Sequence, residues 1–165
     1  MFKHILAATD FSEPAARATD YAIELATKLG AKLTLFHAYP VPPVPYGSAF
    51  AVVIDELAGL AYESMDKELA KVKTRVPHCN ALVQPGSAGR GIVEAAEDVG
   101  ADLIVLGTHG RSWLGAPLGG VASRVIRIAR VPVLTVSPRE SEGRDRSAIA
   151  GQSLRDDSKD VGHRT

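Results

Sequence analysis

"DLIVLGTHGRSWLGAPLGGVASRVIRIARVPVLTV", Asp102–Val136, holds a whole strand–helix–strand unit. "DLIVLG" (Asp102–Gly107) is a continuous apolar run, the pattern of a strand buried on both faces. Leu118, Val121, Ala122, Val125 and Ala129 recur at three- and four-residue spacing and predict a helix. "VPVLTV" (Val131–Val136) predicts the next strand. Two strands joined through a helix pair in parallel, because a tight hairpin cannot connect them. Between the first strand and the helix the backbone is unusually free. Six of the nineteen residues from Gly107 to Val125 are glycine or proline. Two readings of that loop stay open. Side-chain-free glycines let backbone N–H groups approach phosphate oxygens, with the free donors and positive end of the following helix beside them. Alternatively the loop is a tight connection whose glycines supply positive φ and nothing more.

The same alternation runs back to the N-terminus. "HILAAT" (His4–Thr9) reads as a buried strand. "DFSEP" follows, with Ser12 as a helix N-cap and Pro14 in the first turn. Ala15, Ala18, Ala22, Leu25, Ala26 and Leu29 form one helical face, and Gly30 stands at the C-cap. "KLTLFHA" (Lys32–Ala38) is a second strand, and "YPVPPVPYGS" is a proline-rich loop. Ile54, Leu57, Ala61, Met65, Leu69, Val72 and Val76 mark a long second helix. "NALVQ" is a third strand, and Ile92, Ala95, Ala96 and Val99 mark a third helix. Five strands alternating with helices predict an α/β fold, a parallel sheet covered by helices on both faces. A flavodoxin-like doubly wound sheet is the leading arrangement, although periodicity alone leaves the strand order open. After Ser137 the chain becomes polar, with six basic and six acidic residues interleaved. Residues 1–137 are expected to form a single domain and residues 138–165 a disordered C-terminal tail.

Composition narrows the function. The chain has 165 residues, 45% of them hydrophobic, and a formal net charge of zero. A neutral chain lacks the basic excess that non-specific nucleic-acid or anionic-membrane binding requires, so neither partner is expected. No apolar run is long enough to span a bilayer, and the N-terminus enters a strand without a signal-peptide pattern. Cys79 is the only cysteine, so no internal disulfide forms. A cytoplasmic protein is expected.

Chemistry is sought at the carboxyl ends of the strands, where open α/β sheets bind ligands. "GSAGRG" (Gly86–Gly91) lacks the dinucleotide spacing and reads as a flexible turn capped before the third helix. No Gly-Lys-Ser or Gly-Lys-Thr occurs, which removes a P-loop mechanism. "GRSWL" starts like a nucleophile elbow but has Leu114 where the last glycine belongs. Asp10 closes the first strand, where its carboxylate can accept from ribose hydroxyls or cap the first helix. His109 lies in the glycine loop, where it could meet a phosphate or simply be solvated, and Arg111 there could add a charge. His37 reads as a satisfied, partly buried histidine, and Trp113 as a residue that packs the loop or meets a partner. No histidine, cysteine or carboxylate cluster has metal spacing.

Three stretches together resemble a known family. "HILAATDFSEPAARATDYAIELA", "ADLIVLGTHGRS" and "GGVASRVIRIARVPVLTV" are similar to the universal stress protein family, in that family's order and over about Phe2–Val136. The resemblance implies a five-stranded parallel sheet in the order 3-2-1-4-5, whose switch point lies between the strands ending at Thr9–Asp10 and at Gly107. One branch of the family binds ATP through Gly-x-x-Gly, nine residues, then Gly-Ser or Gly-Thr. Gly107-Thr108-His109-Gly110 matches the first half. By resemblance Asp10 meets ribose, Ala38 lines the adenine pocket, and the loop backbone holds phosphates; Ala8, Thr9 and Arg111 are candidate binding residues beside them. The second half departs from the pattern. Nine residues beyond Gly110 lead to Gly120, followed by Val121. Aligning the helix start instead places Gly119 at the glycine and Gly120 at the hydroxyl residue, with eight residues between. Either way the hydroxyl is missing, which removes a charge-assisted hydrogen bond worth about 1.5–3 kcal/mol. The resemblance implies a nucleotide-binding stress-response regulator with ATP as cofactor and magnesium unassigned. Any hydrolysis is expected to be slow, because no paired general base accompanies Asp10. The alternative is a homodimeric interaction module that works without nucleotide, pairing through the edge strand Val131–Val136.

Overall fold

The computed structural model describes residues 1–41, 48–108 and 118–137. His109, Gly110, Arg111, Trp113 and the stretch 138–165 lie outside the described residues. The elements are β1 (His4–Ala8), α1 (Glu13–Leu29), β2 (Lys32–Tyr39), α2 (Ser48–Lys73), β3 (Asn80–Pro85), α3 (Ala88–Val99), β4 (Leu103–Gly107), α4 (Gly120–Ile128) and β5 (Val133–Val136). All strand pairs are parallel, and the order is β3-β2-β1-β4-β5. The fold is therefore the α/β sheet expected, in the order that the family resemblance implies.

Strand alternation divides the apolar residues between two cores. Ile5 and Ala7 of β1, Leu33 and Leu35 of β2, and Leu103 and Val105 of β4 face α1 and α2, where Ala18, Ala22, Met65 and Val72 cover them. Leu6, Phe36, Ile104 and Leu106 face the opposite side, under Ile92, Ala95 and Ala96 of α3 and Ala122 and Val125 of α4. Both faces of the sheet are thus sealed. This is why its strands read as uninterrupted apolar runs.

Local signals set the element ends. The Ser12 hydroxyl accepts from the Ala15 N–H at 3.4 Å, and Pro14 sits in the first turn of α1. Gly30 takes φ 64° and donates its N–H to the Ala26 carbonyl, a left-handed cap that a side chain would strain. Some boundaries differ from the sequence reading. β5 begins at Val133 because Pro132 has no N–H to give, although the Pro132 carbonyl still accepts from the Ile104 N–H at 3.0 Å. α2 starts earlier than its marked apolar positions and ends before Val76, whose N–H still bonds the Val72 carbonyl at 2.9 Å. "GSAGRG" is not a flexible turn. Only Gly86 and Ser87 precede α3, and Gly89 and Gly91 lie within it. The reason is packing: a Cβ on Gly91 would stand 3.0 Å from the Phe36 ring, so α3 approaches the sheet closely at Gly91, and Gly89 lies against the Arg124 side chain of α4.

Candidate functional site

The chain order in the sheet reverses between β1 and β4. From β1 the chain runs outward through β2 and β3, then crosses back to β4 and β5. Helices consequently leave the two central strands on opposite faces and open a crevice at their carboxyl ends. A cleft of about 300 Å³ occupies this place. Its lining includes Ala8, Thr9 and Asp10 after β1, Ala38 at the end of β2, and Gly107 and Thr108 after β4. Gly119, Gly120 and Val121 close it from α4. Of the residues singled out in the sequence, these nine come together. Phe36, His37, Ala88, Ile92, Leu106 and Ala122 also line the cleft. Sequence reasoning missed most of these because they read as core positions; His37 alone stood out, as a satisfied histidine.

The turn after β1 is held tightly. The Thr9 N–H donates to the Phe36 carbonyl at 2.9 Å, continuing the β1–β2 ladder by one residue. Phe11 then adopts φ 61°, a conformation that costs a non-glycine residue about 1–2 kcal/mol. Local bonds offset that cost. The Phe11 N–H donates to Thr9 Oγ1 at 3.0 Å, and the Ser12 N–H donates to Asp10 Oδ1 at 3.1 Å. The Ser12 hydroxyl donates to the same oxygen. Asp10 therefore does not cap α1. Ser12 does, and Asp10 braces Ser12 while lining the cleft. His37 is half-buried, and its Nδ1 lies 2.8 Å from the Thr9 carbonyl oxygen. A carbonyl only accepts, so Nδ1 carries the proton. The imidazole lies against the Phe11 ring, with centroids 4.4 Å apart.

The opposite wall is built from backbone. The Thr108 N–H donates to the Val136 carbonyl at 2.9 Å, and the Gly119 N–H donates to the Thr108 carbonyl at 2.7 Å. Both amides are thus occupied by the chain, as is that of Thr9. The first intrahelical bond of α4 runs from the Ser123 N–H to the Gly119 carbonyl at 2.9 Å. The N–H groups of Gly120, Val121 and Ala122 precede it and have no intrahelical acceptor. Gly119 stands at the N-cap and has no side chain to supply one. Among the described residues, no acceptor claims these three donors. The helix dipole places roughly half a positive charge at the same point.

The cleft therefore has two chemical ends. Phe36, Ala38, Ile92 and Leu106 form an apolar wall suited to a flat, weakly polar group. Asp10 and the α4 amides offer a carboxylate acceptor and a cluster of anion-seeking donors. Among the described residues, no group of three or more histidine, cysteine or acidic side chains is arranged to hold a metal ion. Among the described residues, no helix is long and apolar enough to cross a membrane.

Comparison with known proteins agrees with this architecture. The sequence model of the Universal stress protein family matches residues 1–137. The chain is 34% identical over 142 residues to Universal stress protein A homolog 1 of Coxiella burnetii, covering 84% of this chain and 99% of that protein. The solved structure of hypothetical protein MJ0577, from Methanocaldococcus jannaschii, superposes with a TM-score of 0.73 at 27% identity, covering 86% of this chain and 99% of that one. A universal stress protein crystallised in complex with cAMP superposes with a TM-score of 0.64 at 29% identity, covering 82% of this chain and 97% of that one.

Proposed function

The chain belongs to the universal stress protein family, and we propose that it is a nucleotide-binding regulator of the stress response whose ligand is of the ATP type. The observation that carries this reading is the pairing, in one crevice, of Asp10 with first-turn amides of α4 that no acceptor claims among the described residues. A nucleotide has three parts with matching needs. Its base is flat and largely apolar, its ribose presents hydroxyl donors, and its phosphates seek N–H groups. The apolar wall, the Asp10 carboxylate and the Gly120–Ala122 amides correspond to these in turn. The solved relative that holds cAMP supports a nucleotide of some kind. In this reading Thr9, Gly107, Thr108, Gly119 and Val121 shape the crevice, and His109, Gly110 and Arg111, outside the described residues, are proposed as phosphate-binding residues on their sequence pattern alone. Nucleotide occupancy would act on partners through the protein's conformation, in the cytoplasm, with at most slow hydrolysis.

The direct test is a titration of fluorescently labelled ATP against the purified protein and its Asp10→Ala variant. Saturable binding by the native chain is expected, with affinity reduced at least tenfold in the variant, the loss of a charged hydrogen-bonding group. Absence of saturation at millimolar nucleotide overturns the proposal.

One observation favours a second reading, a homodimeric interaction module. β5 pairs only with β4, so its outer edge is open among the described residues, and Leu134 on it is exposed. An edge of this kind is a template for a second copy. Dimerisation through β5 is compatible with nucleotide in the crevice, because β5 lies at the far side of β4 from β1.

A further inference from the structure

We propose that His37 is a positioning residue, which aims Asp10 into the crevice chiefly by holding the Thr9 carbonyl, with its ring against Phe11 as a lesser support. The inference rests on the nucleotide reading of the crevice and adds to it a residue that acts without touching the phosphates.

Two contacts of this side chain and one of Asp10 carry the inference. First, His37 Nδ1–H donates to the carbonyl of Thr9 at 2.8 Å. The Thr9–Asp10 peptide is planar and trans, so fixing the direction of its C=O also fixes the N–H of Asp10 on the opposite side. The Asp10 backbone thereby loses one of its freedoms before any ligand arrives. Second, Phe11 is the single described residue other than glycine with positive φ. Strain of this kind persists only where the surroundings over-determine it, and it gathers at ligand sites. The His37 ring, 4.4 Å from the Phe11 ring, is one of those surroundings. Third, Asp10 Oδ1 is engaged by the Ser12 N–H and hydroxyl, so the carboxylate is anchored to the segment that follows Phe11. Rotation at Thr9 or relaxation of Phe11 therefore carries the carboxylate away from the cleft that it lines.

The two contacts made by His37 can be separated by substitution. His37→Asn keeps an N–H donor near the place of Nδ1 and loses the ring. His37→Phe keeps a ring against Phe11 and loses the donor. The hydrogen bond is the positioning element, so labelled ATP should bind His37→Asn within about threefold of the native affinity and His37→Phe at least tenfold more weakly. Equal binding by His37→Phe and the native chain overturns the proposal, as does equal loss in both variants.

A ligand-free measurement separates this proposal from the nucleotide reading. Nitrogen-15 spectra of the His37 ring should place the proton on Nδ1. Amide exchange at Phe11 and Ser12 should stay slow in His37→Asn and quicken at least tenfold in His37→Phe, while exchange in α3 is unchanged. If the native chain binds no ATP yet the exchange pattern holds, the nucleotide reading fails and the positioning role stands. A proton on Nε2 alone, or unchanged exchange in His37→Phe, sinks the positioning role whatever the nucleotide does.

Discussion

Gly120 stands where α4 opens onto the crevice, and one of the two alignments with the ATP-binding pattern puts it at the serine or threonine position. Nothing among the described residues demands glycine there: a Cβ built on it meets none of their atoms within 4 Å, and its backbone does not take positive φ. Gly120→Ser should therefore fold as the native chain does and add a hydroxyl beside the Val121 and Ala122 amides. One such bond to a phosphate is worth about 1.5–3 kcal/mol, so ATP should bind about ten- to a hundredfold more tightly by calorimetry. Unchanged or weakened affinity would mean that phosphates do not reach the start of α4. At this scale the sequence was readable where a residue's chemistry is local. Ser12 caps α1 and Gly30 ends it because each acts within one helical turn. His37 was readable as a satisfied histidine, but not its partner, because that bond joins residues 28 apart along the chain.

The far ends of the strands hold a comparable long-range tie. Asp102, just before β4, accepts from the His4 N–H at 3.0 Å and from the Lys3 N–H at 2.8 Å, locking the start of β1 to the start of β4. The His4 amide is the main cause that holds the Asp102 carboxyl below the usual aspartate range; partial burial opposes it and the Lys3 amide assists. A depressed carboxylate contributes stability above its unfolded value of about 3.9 and loses it as pH falls through the lower folded value. Asp102→Asn should accordingly melt below the native chain at pH 7, and the two melting temperatures should converge as the pH is lowered from about 4 toward 2. Thermal unfolding followed by circular dichroism checks this, and a gap that widens in acid would contradict it. Element existence and order followed from apolar periodicity, whereas element ends depended on tertiary contact. α3 begins four residues before Ile92 because Gly91 must lie against Phe36, a constraint invisible in the periodicity of α3 itself.

Across the whole molecule, alternation of strands and helices announced a parallel sheet, but the strand order came through family resemblance. Parallel pairing joins distant segments, and no residue near β1 states that β4 is its neighbour. The order matters because it alone places Asp10 and the start of α4 on either side of one crevice. The assembly of the described candidate residues there follows from topology rather than from any single motif. The most direct measurement is a nitrogen-15 amide spectrum of the labelled protein, recorded as ATP is added. If nucleotide enters the crevice, the largest shifts fall on Gly120, Val121 and Ala122, with Asp10 moving at the same concentrations. Shifts confined to α2 or to the opposite strand ends, or no shifts at millimolar ATP, would contradict a nucleotide site between β1 and β4.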